Sequence, residues 1–216
     1  MLKKLSLVLS FGFVTPTILA ENKYLDRVDR SAKILRELAD DSEMLKTLIK
    51  KAECVTSLRI HKAGFIFGGK TGTGVTSCRT DDGLWSAASQ SRLTGISAGY
   101  QIGVSKIEML IFFMDKDSKY DIIDGEFGLE VDAILSVGEN GKYGNIDFSE
   151  PVYAVAKTKG LYAGASLSGS YLEQVSRSNR KVYGPEYTSY EILTSRDMIF
   201  PEASSFTNLL EQYSNQ

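Results

Sequence analysis

The placement of glycine constrains this chain more than any other feature. Of its 19 glycines, all but Gly12 lie between Gly64 and Gly184, so residues 21–63 and 185–216 contain none. Glycine weakens helices and marks turns, bulges and close backbone approaches. The pattern predicts helix-rich flanks around a β-rich, turn-rich centre. Periodicity agrees in the first flank. Leu25, Val28, Ala32 and Leu35 recur at helical spacing, widened by Ile34 and Leu38, while Arg27, Arg30, Lys33 and Arg36 form a basic face. Asp40, Asp41 and Ser42 interrupt the pattern, and Ser42 is suited to cap a second helix whose apolar side is Met44, Leu45, Leu48 and Ile49. Lys46, Lys50 and Lys51 lie toward the end of that helix, where cations suit its dipole.

From Cys54 the period falls to two. Cys54 to Ile60 and Ala63 to Phe67 read as strands. Gly68 to Gly74 reads as a turn-rich connection, and Val75 to Arg79 as a returning strand. On this reading Cys54 and Cys78 sit on neighbouring strands within bridging reach. Further strands are predicted over 95–103, 108–114, 130–137, 152–157 and 161–167, with loops over 115–124 and 138–147. Pro201 and a capping Ser204 or Ser205 precede a short last helix built on Phe206, Leu209 and Leu210. The expected fold is α+β, with helices over 22–52 and a short C-terminal helix packed on a curved, mainly antiparallel sheet or barrel.

The first twenty residues have the layout of a cleavable export signal. Lys3 and Lys4 precede the apolar run Leu5–Val14, and Ile18-Leu19-Ala20 supplies a small residue before a cut. The run is shorter than the roughly 20 apolar residues that a spanning helix needs. Residues 21–216 are then expected to form a single domain in the periplasm or outside the cell. In that setting two cysteines make one Cys54–Cys78 bridge the default. With a single histidine, His61, no metal site is expected, and nothing calls for a cofactor. The formal net charge is −2 and the pI about 5.6. That balance gives no general attraction to nucleic acid.

Three motif matches lack the context their chemistry needs. Gly64 to Thr71 matches a phosphate-binding loop, but Phe65-Ile66-Phe67 alternate as in a strand, and Gly72 and Gly74 oppose the helix that must follow. Gly95-Ile-Ser97-Ala-Gly99 matches a nucleophile elbow. Its serine would need His61 as base, and His61 precedes it in the chain. Asp115-Lys-Asp117-Ser-Lys119 starts like a calcium loop but lacks an oxygen donor at Lys119 and the glycine of the sharp turn. Trp85, between Gly83-Leu84 and Ser86, reads as an anchor of the fold. The aromatics Phe65, Phe67, Tyr100 and Tyr162 read as sheet packing before they read as a lipid groove.

The motifs in order resemble the SYLF domain family. They comprise Ala32-Lys33-Ile34-Leu35, Lys62-Ala-Gly64-Phe-Ile-Phe-Gly68-Gly69, Gly72-Thr-Gly74-Val75, Cys78-Arg79 and Gly83-Leu-Trp85-Ser86. Gly95-Ile-Ser97-Ala-Gly99-Tyr-Gln101-Ile-Gly103, Lys159-Gly160-Leu-Tyr-Ala-Gly164 and Tyr183-Gly184 follow. The resemblance implies a non-enzymatic lipid-binding module. Eukaryotic members bind phosphoinositides partly through a basic amphipathic N-terminal helix, and some bind actin. The export signal, the lack of an SH3 segment and the cysteine pair argue against actin and phosphoinositides here, and for phospholipid in the periplasm. The residues expected to meet a membrane surface are Arg27, Arg30, Lys33 and Arg36. An equal reading is that the helix packs its apolar side on the sheet and its cations are merely solvated. The alternative functions are an envelope structural or protein-interaction module and, third, a hydrolase using Ser97.

Overall fold

A computed structural model describes residues 16–129, 134–137, 150–157, 167 and 169–216. The fold is α+β. Its elements in chain order are α1 (Pro16–Ala39), α2 (Glu43–Lys51), β1 (Cys54–Cys78), β2 (Ser89–Phe113), α3 (Lys116–Asp124), β3 (Glu126–Leu129) and β4 (Ile134–Val137). Then follow β5 (Val152–Lys157), β6 (Ser170–Gln174), α4 (Ser176–Tyr183), α5 (Ser189–Thr194) and, after a short 3-10 turn, α6 (Ser205–Ser214).

The centre is a long two-stranded ribbon. β1 and β2 pair antiparallel from Cys54↔Phe113 to Thr76↔Ser89, with one irregularity between Gly64 and Ile66. β5 adds to the far part of β2 and β6 to its near part. β3 extends from β6, and β4 runs parallel to β5. The sheet is therefore mainly antiparallel, with one parallel edge pair.

Twenty-five residues of straight strand would reach roughly 80 Å, yet β1 returns on itself. Cys54 and Cys78, at its two ends, have Cα atoms 4.0 Å apart and form a disulfide. Thr56 and Thr76 hydrogen-bond through their hydroxyls at 2.7 Å. Glu53 O accepts from Arg79 N at 2.7 Å. Glycine makes this closure possible: a Cβ on Gly74 would stand 1.7 Å from the Ser57 carbonyl oxygen, and one on Gly72 would stand 2.9 Å from Ile60 Cγ1.

This corrects the sequence reading at three points. Residues 68–74 are strand, not a turn-rich connection. The segments 54–60, 63–67 and 75–79, read as separate strands, belong to β1, those at 95–103 and 108–114 belong to β2, and the cysteines occupy the two ends of one strand. In a ribbon this curled, glycine serves close approach as well as turning. A fourth correction lies at 115–124, expected as a loop. It is helix α3, with Asp115 capping the Ser118 amide at 2.7 Å. Aspartate there marks a helix start as readily as a metal loop. Helix α4 lies in the centre expected to be β-rich, whereas α5 falls in the flank expected to be helix-rich. The expected loop 138–147, the start of the strand at 130–137 and nearly all of 161–167 lie outside the described residues.

Alternation along the ribbon makes two cores. The inner face carries Cys54, Leu58, Ile60, Cys78, Leu93, Met109 and Ile111, joined by Ile122, Ala154, Leu172 and Leu193. The outer face carries Val55, Val75, Leu110 and Phe112, and α1, α2 and α6 cover it with Val28, Leu35, Leu48 and Phe206. Helix α2 starts at Ser42, whose Oγ accepts from Leu45 N at 3.3 Å, as its sequence predicts. Trp85 is fully buried. Its Nε1 donates to Ser214 Oγ at 3.0 Å, and the Arg79 guanidinium lies 4.2 Å over its ring. It ties the ribbon's end loop to α6 as an anchor.

Candidate cationic surface

Helix α1 sets out the site. Tyr24, Val28, Ser31, Ala32, Leu35 and Leu38 are all buried. The apolar side of the helix is thus spent on the sheet and on α6. It lies over the place where the ends of β1 meet: Ser57 Oγ donates to Ser31 O, and Val55 and Val75 share its core.

The four basic residues expected to act together separate. Arg27 and Arg30 flank the buried stripe and are half-buried against the ribbon. The Arg27 Nη1 donates to Gln90 Oε1, and Gln90 N in turn donates to Asn179 Oδ1 of α4 at 2.8 Å. Lys33 is exposed and lies 3.8 Å from Glu37 one turn on. Arg36 is exposed on the other side, near Asp40 and the Tyr213 hydroxyl of α6.

The sheet supplies the missing partners. Arg59 on β1 pairs in register with Glu108 on β2, and Thr73 pairs with Arg92, which lies opposite Glu173 on β6. Arg59 binds Glu108 Oε1 through Nη2 at 2.8 Å and Nε at 3.1 Å, Lys106 binds the same oxygen at 3.2 Å, and Arg92 lies 3.3 Å from Glu173. Arg27 feels Arg92, and Arg30 feels both Arg59 and Arg27. Burial and, secondarily, the neighbouring arginines push the guanidinium pKa values of Arg27 and Arg30 down. The Arg30 Nε is buried and has no hydrogen-bond acceptor. A buried donor without a partner is costly. Burial pushes Glu108 up, but hydrogen bonds from Arg59 and Lys106 outweigh it and hold its carboxyl below the ordinary value.

Helix α4 borders this group. Its sequence, SRSNRKVY, has no acid, and Arg177, Arg180 and Lys181 are exposed. Sequence reasoning missed Arg59, Arg92 and this helix. Arg59 comes near Arg30, and Arg92 near Arg27, only through tertiary packing of α1 on the ribbon, which no local spacing announces.

The register does not assemble a hydrolytic pair. His61 pairs with Lys106 and Ser97 with Gly68, nine positions apart along β2. The Ser97 side chain, like those of Phe65, Phe67 and Tyr100, lies outside the described residues, as does Tyr162 altogether. The residues matching a phosphate-binding loop run in strand β1, with no helix after them. Among the described residues, no three His, Cys, Asp or Glu stand together to hold a metal ion, and no helix is long and apolar enough to cross a membrane.

Fold and site together define a curled β-ribbon domain, buttressed by helices on its outer face, that presents a cluster of arginines. Residues 94–213 match the family described as Ysc84, Las17-binding protein actin regulator. The chain is 30% identical over 196 residues to Protein YSC84 of Saccharomyces cerevisiae, which covers 84% of this chain and 42% of that protein. It is 29% identical over 200 residues to human SH3 domain-containing YSC84-like protein 1, covering 87% of this chain and 58% of the relative. Yeast LAS seventeen-binding protein 3 is 29% identical over 196 residues, covering 84% and 43%. The chain belongs to the Ysc84, or SYLF, family. It spans about half the length of these curated relatives. No solved structure matches it significantly. The family description is that of a binding protein and regulator, not of an enzyme.

Proposed function

We propose that this chain is a non-catalytic module that binds anionic phospholipid surfaces, and that it does so in the periplasm after export. The observation carrying the reading is the convergence of Arg27, Arg30, Arg59 and Arg92 from a helix and two strands, with a buried Arg30 Nε that no acceptor among the described residues serves. Phosphate oxygens suit such guanidinium groups. The buried disulfide fits an oxidising compartment. Among the described side chains of α1, Leu19 is half exposed and burial begins at Tyr24, beyond the expected cut after Ala20.

The test is co-sedimentation of oxidised residues 21–216 with neutral and anionic vesicles across a salt series. Binding should favour anionic vesicles, weaken with salt, and fall about tenfold or more when Arg27 and Arg30 are both changed to Gln, at about 1 kcal/mol for each cation near the surface. Equal binding by that variant would refute the reading.

A second reading, a protein-interaction module, draws on the relatives. One is named for binding LAS seventeen, and the family description includes actin regulation. That description does not support the expectation that actin is excluded. Retention of a protein partner, actin included, by a chain that ignores vesicles would favour this second reading.

A further inference from the structure

Resting on the membrane reading above, we infer that the domain docks through the bare outer face of β2 and β6, inserting Ile96 and Tyr171 into the bilayer interface. The apolar stripe of α1 cannot do this, because it is buried against the ribbon. What lies exposed beside the arginines is the sheet. Arg92, Thr94 and Ile96 alternate onto one face of β2, and on β6 Glu173 and Tyr171 stand opposite Arg92 and Thr94. Gly69, Thr71 and Thr73 complete that face on β1. No described helix covers it: Thr71, Thr94, Gly128 and Gly169 are all exposed.

Two large apolar side chains stand on this open surface. Ile96 is 77% exposed and Tyr171 53%. Glycines give both room. Gly128, the register partner of Tyr171, has the Tyr171 Cε1 3.8 Å from where its Cβ would be, and Gly169 has Ile96 Cγ1 at the same distance. An isoleucine this exposed costs hydration wherever water remains its neighbour. Back along β2 the patch runs into a rim made by Arg92, which pairs with Glu173, by Arg27 on Gln90 and, beyond Gln90, by the cations of α4. An apolar centre with a cationic rim complements an anionic bilayer: headgroups meet the rim while Ile96 and Tyr171 enter the boundary layer, where aromatic residues settle well.

The experiment uses residues 21–216 with phosphatidylglycerol vesicles at low and high salt. High salt screens the rim, so binding that survives it reports insertion. Ile96→Asp with Tyr171→Asp should abolish the salt-resistant part and weaken low-salt binding at least about tenfold. Ile96→Ser should give a partial loss. Tyr190→Asp, at a tyrosine 57% exposed on α5, should bind as the parent does. In an Ile96→Trp variant, vesicles should blue-shift the emission and brominated lipid should quench it. Trp85 is fully buried and supplies a constant background, measured on the parent. If the parent binds while the double variant binds equally and the introduced tryptophan stays unquenched, the docking face is wrong and the membrane reading survives. If the parent binds no vesicle, both fall. If the double variant changes only the mass of the protein in solution, the face joins two copies of the chain and the inference is overturned.

Discussion

The closed ribbon depends on a covalent tie between the ends of one strand, and its contribution can be worked out. Cys54 and Cys78 are 24 residues apart in sequence and both fully buried. In the chain-entropy account, closing a loop of that length in the unfolded ensemble stabilises the folded state by about 3.5 kcal/mol. The folded state keeps its other ties when the bridge is absent: the Thr56–Thr76 bond, the Arg79–Glu53 backbone bond and the packing of Gly74 on Ser57. The loss should therefore fall mainly on the unfolded side. The assay is urea unfolding of residues 21–216, oxidised and then refolded under reductant. With a slope of about 2 kcal/mol/M, the midpoint should drop by roughly 1.7 M while the native spectrum is kept. In heat the fall should be about 7–14 °C for a chain of this size. A shift below about 0.5 M would refute the argument, because the ends of β1 would then be held as firmly in the unfolded chain or unneeded in the native one. Because both sulfurs are buried, reductant should act on the native protein only at the rate of opening.

Three further outcomes follow from the packing. Gly74→Ala should destabilise by about 3 kcal/mol or more, since backbone occupies the place of its Cβ, whereas Gly69→Ala, with nothing within 4 Å, should lie within about 0.5 kcal/mol of the parent; parallel urea titrations compare them. Burial raises the Tyr24 hydroxyl to about 12, and Tyr183 beside it is also raised. A raised folded pKa means stability present below pH 10 and lost as pH climbs toward 12. Tyr24→Phe should cost about 1 kcal/mol at neutral pH and flatten that alkaline fall, as pH-dependent thermal melts would record. Trp85→Phe should cost about 2 kcal/mol through the lost bond to Ser214 and the weakened Arg79 contact, read as a lower melting midpoint with an unchanged fold by circular dichroism.

The charges of the basic surface divide by partner. Arg59 and Arg92 each pair with a carboxylate across the sheet, whereas the Arg30 Nε, though Asp26 and Glu108 act on its charge, makes no hydrogen bond among the described residues. The same closure that joins the ends of β1 places α1 over the join and aims Arg27 and Arg30 at the sheet arginines. Stability and the proposed binding therefore share a cause, and a variant that opened the ribbon would lose both.

What the sequence by itself determined is local. Helical spacing over 25–38, the Ser42 cap, the apolar side of α2, the strand at 152–157 and the final helix all depend on neighbours a few residues away, and all are found. The order of the glycine motifs also placed the chain in its family. Tertiary structure decided whatever depends on partners far along the chain. Gly72 and Gly74 look like turn residues until Ile60 and Ser57 arrive beside them. Of four cations on one helix, only closure of the ribbon decides which two meet Arg59 and Arg92. The physical reason is that curvature in a 25-residue strand is set by the contact between its ends, and the few-residue windows that betray helix or strand contain only one of them.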